Sequence, residues 1–273
     1  MKLWISGLTL GQVADRGNVS LETAKRTIGQ LLLTMPVIKA KPNPNARLLI
    51  DGTFFKRINC LILYFDSGLK YFQLYRYSAR EKEAEIESDL RKLKRASVNV
   101  SSVTTDGKLA IKTALRKVFP EVKFQRCLVH IQRYAETYIT QKPKTKAGIE
   151  LQEITKRINS IDSEIAMRTW LCCLSQWKRI YFNFLKEKSY SNEDNHWWYT
   201  HRNLRRVIYH IENALPDIFV YLNDKSIPKD TNGLEERFAD LKHKFRTHRG
   251  LKKEKRESYF AWYIYLKNLK KKG

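Results

Sequence analysis

Acidic residues are scarce in this chain. Its 273 residues carry 28 Asp+Glu against 52 Lys+Arg, a formal net charge of +24. That surplus points to a polyanionic partner, which DNA, RNA or an anionic membrane would each satisfy; it speaks to association, not to fold. Long apolar runs are missing as well. No stretch approaches the roughly 20 residues that a membrane-spanning helix needs, and the first residues lack a secretory pattern. The expected setting is therefore cytoplasmic and nucleoid-associated, with no membrane partner. Cysteine is sparse: Cys60, Cys127, Cys172 and Cys173 are all there is. No CxxC pair occurs, which excludes a complete zinc ribbon, and nothing calls for disulfides. Cys172 and Cys173 are expected to be buried thiols on an apolar helical stretch. Internal repeats and low-complexity tracts are absent too.

What is present suffices for a core. The hydrophobic fraction is 42%, and the length suits one large domain, or a main domain with a small one attached. Residues 1–38 read as a small helical unit. Leu10, Val13 and Ala14 share one helical face, Gly17 and Asn18 interrupt it, and Ser20 is placed to cap a second helix over 21–33. That is a helix-turn-helix pattern, in which Lys25, Arg26 and Gln30 face outward and read the major groove. Residues 39–46, with Pro42 and Pro44, read as a linker. Strands follow at 48–55, 59–65 and 69–77, with Asp66-Ser67-Gly68 as a tight turn. A helix over 80–96, a strand at 98–105, a helix over 108–119, a strand at 122–127 and a helix over 129–140 complete the series. The predicted fold is α/β: an RNase H-like mixed five-stranded sheet with flanking helices over 47–141. Residues 142–229 read as an all-helical insertion. Residues 230–273 form a helix bearing Glu235 and a basic tail.

Three acids stand out against the basic background. Asp51 closes the apolar run Leu48-Leu49-Ile50, Asp106 closes Val103-Thr104-Thr105, and Glu235 opens a basic helix. Each alone has an ordinary reading, since strand-end turns favour Asp-Gly and helix first turns favour Glu. Together they describe a metal site. The first and fourth strands of such a sheet are neighbours, so both Asp residues, expected at strand ends, would meet. Three close carboxylates cannot all stay ionised without cations. Two Mg²⁺ or Mn²⁺ ions would resolve the repulsion and drive phosphodiester chemistry. Glu236 competes with Glu235, but adjacent helical residues point about 100° apart, so only one can face the site.

Asp51-Gly52-Thr53-Phe54, Cys127-Leu128-Val129-His130 some way after Asp106, and Thr231-Asn232-Gly233-Leu234-Glu235 followed by Arg237 resemble the DDE transposases of bacterial insertion sequences, nearest the Mutator-like group. The resemblance covers roughly residues 45–250. It implies Asp51, Asp106 and Glu235 as catalytic metal ligands, with Cys127 and His130 positioned near the site. It also implies double-stranded DNA as partner, both element ends and target, and a homodimer or higher assembly on DNA. The expected reaction is Mg²⁺-dependent cleavage of DNA 3′ ends followed by strand transfer. The alternatives are a catalytically inactive or domesticated DNA-binding descendant, and an RNase H-type nuclease. Arg237, Lys242, Lys244, Arg246 and Arg249 would grip phosphates beside the cut. Of the tryptophans in 142–229, most are expected in the core. His196-Trp197-Trp198 is the best candidate for stacking on an extruded base.

Overall fold

The computed structural model describes residues 1–55, 59–192, 194, 196–248 and 250–269. Three short helices come first: α1 (Lys2–Ile5), α2 (Leu10–Gly17) and α3 (Leu21–Leu31). Strands β1 (Asn43–Phe55), β2 (Asn59–Asp66) and β3 (Tyr71–Ser78) follow, then α4 (Glu83–Arg95), β4 (Val98–Thr105), α5 (Leu109–Val118) and β5 (Lys123–Arg126). Next come α6 (Leu128–Ile139), α7 (Lys146–Lys156), α8 (Glu164–Ile180), β6 (Lys188–Tyr190), β7 (Trp197–Tyr199) and α9 (Arg202–Ile218). The chain closes with α10 (Val220–Asn223), α11 (Asn232–Phe245) and α12 (Lys253–Leu269). Among the described residues no helix is long and apolar enough to cross a membrane.

Five strands make one sheet in the order β3-β2-β1-β4-β5. β1 and β2 are antiparallel, with Leu49 opposite Phe65 and Asp51 opposite Leu63. β2 and β3 are antiparallel as well, with a register shift between Tyr64 and Phe65. β4 runs parallel to β1. Asn43 N donates to Ser97 O, Asn99 Nδ2 to Pro44 O, and Ser101 Oγ to Ala46 O, so the partners advance together. Cys60 to Phe65 on β2 are all buried, as a near-continuous apolar run on a sheet covered on both faces should be. The mixed sheet with its helices is an RNase H-like α/β arrangement.

β1 starts earlier than the sequence suggests. Asn43 to Ala46 lie within the expected linker, yet they already pair alongside β4. Pro44 is tolerated because it sits at the strand's beginning. β1 ends at Phe55, as expected, which makes Asp51 an interior strand residue and not the strand end it was expected to be. Only Asp106 directly follows its strand.

The chain divides into two compact units: residues 1–103, 109–122 and 232–273 form one, and 104–108 with 123–231 the other. The first unit has a core to which four parts contribute. β1 and β2 supply Leu49, Phe55, Leu61, Leu63 and Phe65; α11 supplies Leu234, Phe238, Leu241 and Phe245. α12 adds Tyr259, Phe260, Tyr263 and Ile264, and the N-terminal helices add Trp4, Ile5, Ile28 and Leu32. In those helices the turn chemistry is as expected. Thr9 and Gln12 form a capping box on α2, Asn18 ends it in the left-handed region (φ 48°), and the Ser20 side chain caps α3. The N-terminal helices are fastened to the C-terminal part of the chain. The Trp4 ring lies 4.1 Å from His248, and Trp262 Nε1 donates to Leu31 O at 2.9 Å.

The second unit holds β5, a set of helices, and β6 and β7, a small antiparallel pair within the stretch expected to be all helix. Aromatic and β-favouring side chains on both sides of a polar turn explain the hairpin. Trp170, Leu174 and Trp177 on α8 face the core, with both indole N–H groups donating to backbone carbonyls, Ile154 O and Ala147 O. That face turns Cys172 and Cys173 outward: both are exposed. The expectation that they are buried is corrected by the helical period, which places them between core positions 170 and 174.

A test of the first unit's construction follows. Trp4→Ala should lower stability by about 3–5 kcal/mol, the usual cost of emptying a buried indole site. Leu33→Ala, at a residue 75% exposed, should change it by about 0.5 kcal/mol or less. Urea denaturation of both variants decides it; an unchanged midpoint for Trp4→Ala would mean the N-terminal helices contribute nothing to this core.

Candidate active site

Alternation along β1 puts Leu49, Asp51 and Phe55 on one face of the strand. Leu49 and Phe55 belong to the first unit's core, so Asp51 rises from the same apolar face and is only 7% exposed. Its Oδ1 accepts from Gly52 N at 2.8 Å. Gly52 is required by a close approach: a Cβ there would come 2.7 Å from Cys60 Sγ and closer still to Glu81 Oε1.

α11 crosses that face with Leu234, Phe238, Leu241 and Phe245 buried. The first turn packs near β1: an added Cβ at Gly233 would lie 3.8 Å from Leu49 Cδ1, an ordinary contact. Glu235 is consequently half-buried and Glu236 exposed. Carboxylate oxygens of Asp51 and Glu235 lie within 4.8 Å of one another. These two predicted site residues are thus brought together inside one unit.

Asp106, Cys127 and His130 belong to the second unit. Asp106 Oδ2 is 3.0 Å from Lys108 Nζ, and its Oδ1 accepts from Lys108 N and Thr105 Oγ1. Gly107 has φ +90°, and an added Cβ would strike Arg126. This bare glycine lets the Arg126 side chain lie against the turn. Burial lowers the Arg126 pKa, opposed by the charges of Asp217 and Asp106. Arg126 Nη2 is 3.3 Å from His210 Nε2, and Tyr134 stacks on the His210 ring at 3.8 Å. Burial, and secondly the Arg126 charge, push the His210 pKa down to about 4, so a neutral ring faces the guanidinium. Cys127 is fully buried. Its Sγ accepts from Thr231 N at 3.3 Å and Thr231 Oγ1 at 3.4 Å, and its backbone N–H donates to Thr105 O at 2.7 Å. His130 lies in the first turn of α6, half-buried.

The basic candidates separate into two groups. Lys25, Arg26 and Gln30 are exposed on α3, opposite the buried Ala24 and Ile28, with Lys25 3.8 Å from Glu22. Lys242 and Arg246 are exposed too. Arg237 is engaged internally: its guanidinium lies 4.0 Å over the Phe65 ring and bonds to Gly233 O. Lys244 pairs with Asp240 at 2.6 Å. Arg249 lies outside the described residues. Arg126 was not singled out in the sequence, where nothing separates it from the other basic residues except its place directly before Cys127.

The Transposase IS66 family matches residues 3–239. This chain belongs to the IS66 family of transposases. The match runs from the N-terminal helices through Glu235. It replaces the Mutator-like group as the family assignment. No curated protein matches the chain. Among solved structures, this IS66-family chain is similar to one in the cryo-electron microscopy structure of the simian T-cell lymphotropic virus intasome in complex with PP2A regulatory subunit B56 gamma. Identity is 12%, TM-score 0.25, and the likeness covers 64% of this chain. The chain spans about half (51%) of that one, and at such a score the likeness carries no argument.

The His210 environment has a measurable consequence. Its pKa of about 4 lies below the ordinary 6.5, so between those values the unfolded chain binds more protons than the folded one. Stability should fall as pH drops from about 6.5 toward 4. His210→Gln keeps a hydrogen-bonding group without the titration and should show a smaller loss. Urea midpoints at pH 7 and pH 5 for both proteins measure the difference; equal losses would count against the neutral ring.

Proposed function

We propose that this transposase cuts DNA at element ends and joins the freed ends to target DNA, with Asp51, Asp106 and Glu235 holding Mg²⁺ or Mn²⁺. The closeness of the Asp51 and Glu235 carboxylates, within 4.8 Å, carries the reading. Two full charges at such a distance repel by about 3–4 kcal/mol at an effective dielectric of about 20. The donor set fits the group: carboxylate oxygens are the hard ligands these cations take. Asp106 is the third candidate because it directly follows β4, the strand beside β1. Such ions, when bound, supply activation of the attacking oxygen and charge stabilisation at the leaving oxygen.

The chain's own residues have distinct parts in this reading. Lys108 neutralises Asp106 until a cation takes its place. Arg126, buried beside the Asp106 turn, offers its guanidinium to a substrate phosphate, since Arg is suited to phosphate geometry. Cys127 acts as a hydrogen-bond acceptor that fixes Thr231, four residues ahead of Glu235, so its part is to position the start of α11. His130 is a positioning residue of the same turn. Lys25, Arg26 and Gln30 read element-end DNA, and Lys242 and Arg246 contact backbone phosphates. Arg237 and Lys244 stiffen α11 from within. A homodimer or higher assembly on DNA completes the reading.

The two neighbouring glutamates give the sharpest test. Glu235→Gln should abolish the calorimetric signal of Mn²⁺ binding and lower metal-dependent nicking about a hundredfold or more, because one charged ligand is lost. Glu236→Gln, at an exposed position, should stay within about threefold. Asp51→Asn should behave as Glu235→Gln does. Full nicking by Glu235→Gln would sink the assignment of the metal site.

A further inference from the structure

Between α8 and α9 the second unit carries an aromatic surface that the cutting reaction does not use. Lys188 pairs with Tyr199, Ser189 with Trp198, and Tyr190 with Trp197 across β6 and β7. Directly opposite residues on a two-stranded pair lie on one face, so Lys188, Tyr190, Trp197 and Tyr199 share a face and Trp198 takes the other. Tyr190 is 63% exposed, Trp197 42% and Trp198 37%. The core tryptophans of the same unit, Trp170 and Trp177, are 5% and 2% exposed. A hairpin with large rings bare on both faces is not packed as a core.

Cations sit on these rings. Lys188 Nζ lies 3.9 Å over Trp197, Arg205 Cζ 3.6 Å over Tyr199, and nearby Lys186 Nζ 3.8 Å over Phe182. Two acids at the hairpin are turned to local partners: Glu187 pairs with His201 at 2.9 Å, and Asp194 accepts from His196 N. Rings with free area beside cations are the two ingredients of a single-strand site, where bases stack on aromatic faces and phosphates meet positive charge. A duplex offers only one of the two, because its base faces are already stacked. A solvent-exposed cation–π contact is weaker than the stacking of a base on an aromatic ring. A base can therefore displace Lys188 from Trp197 and leave that ammonium free for the adjoining phosphate.

We propose that the β6–β7 hairpin binds unpaired DNA, with bases stacking on Tyr190 and Trp197 and Lys186 and Lys188 on the flanking phosphates. The site goes beyond the carboxylate site and does not rest on it: an unpaired stretch would be held whether or not this chain cuts it.

The experiment uses the full chain in chelator, so that no cutting intervenes, at physiological salt. A fluorescein-labelled twelve-residue oligothymidine and a duplex of equal length are the probes. The oligothymidine should bind and quench tryptophan fluorescence. Tyr190→Ala combined with Trp197→Ala should weaken oligothymidine binding about ten- to a hundredfold and change duplex affinity less than about threefold. Trp197→Phe, which keeps a ring, should retain most of the affinity, and Lys188→Gln should flatten the salt dependence on the single strand by about one phosphate contact. Circular dichroism and thermal unfolding confirm that each variant folds. Unchanged oligothymidine affinity in the double variant would overturn the proposal. So would equal losses on both probes. Concentration-dependent association without DNA that the double variant abolishes would assign the rings to a second copy of the chain instead.

Discussion

Two acids held together on an apolar face are the constraint around which the first unit is arranged. Asp51 shares its strand face with Leu49 and Phe55, and Glu235 shares its helix with Leu234 and Phe238. Burying four large side chains of α11 contributes about 1.5–3 kcal/mol each. The repulsion between the two carboxylates costs about 3–4 kcal/mol at that separation under an effective dielectric of about 20. The hydrophobic term wins, so packing brings the charges together and holds them there. In the proposed reading a cation converts this electrostatic liability into a ligand set. Gly52 shows the same economy of space: it stands where a Cβ would press on the Glu81 and Cys60 side chains.

The N-terminal helices belong to that same unit by chemistry and not only by sequence. Trp4 is wedged between His248 and Tyr259, His248 Nε2 lies 3.0 Å from Trp4 O, and Trp262 reaches Leu31 O and Thr34 O. Ile28 on α3 and Leu32 just after it join the core that contains Leu49 and Leu234. Helix α3, with its outward Lys25 and Arg26, therefore rests on the packing that seats Asp51 and Glu235. Removing residues 1–38 would strip indole and aliphatic surface from this core as well as helix α3.

Much of this was legible in the sequence because period and turn chemistry agreed. Asp66-Ser67-Gly68 ends β2 where expected, with the Asp66 carboxylate accepting from Gly68 N and Leu69 N. Ser20 caps α3, and β4 covers the residues expected. The errors have a common origin: they depend on partners distant in the chain. Pro42 and Pro44 suggested a linker, but pairing with β4 makes strand from Asn43 onward. Asp51-Gly52 had the look of a strand end, but β1 continues because β2 pairs with it as far as Phe55. Cys172 and Cys173 seemed buried by hydrophobicity alone, although the period of Trp170, Leu174 and Trp177 already pointed them outward. Arg126 was invisible because its meaning lies in Gly107 and His210, 19 and 84 residues away by subtraction of their numbers.

The large positive charge does two kinds of work, and residue type separates them. Arginine carries several internal contacts: Arg76 forms a two-pronged pair with the buried Asp89 at 2.5 Å, Arg237 covers Phe65, and Arg126 meets His210. A planar, weakly hydrated guanidinium suits such places better than a compact ammonium. Lysine stands mostly outside, as at Lys25 and Lys242, or over exposed rings, as at Lys186 and Lys188. The net +24 therefore overstates the charge free to meet a polyanion, since part of it is spent on the fold's own acids and aromatics. Exposed cations stand on many elements, among them α3, the outer side of α11 and the β6–β7 hairpin. In the proposed reading these correspond to groove reading, phosphate contact and unpaired bases, three parts of one DNA substrate that differ in what each exposes to the protein.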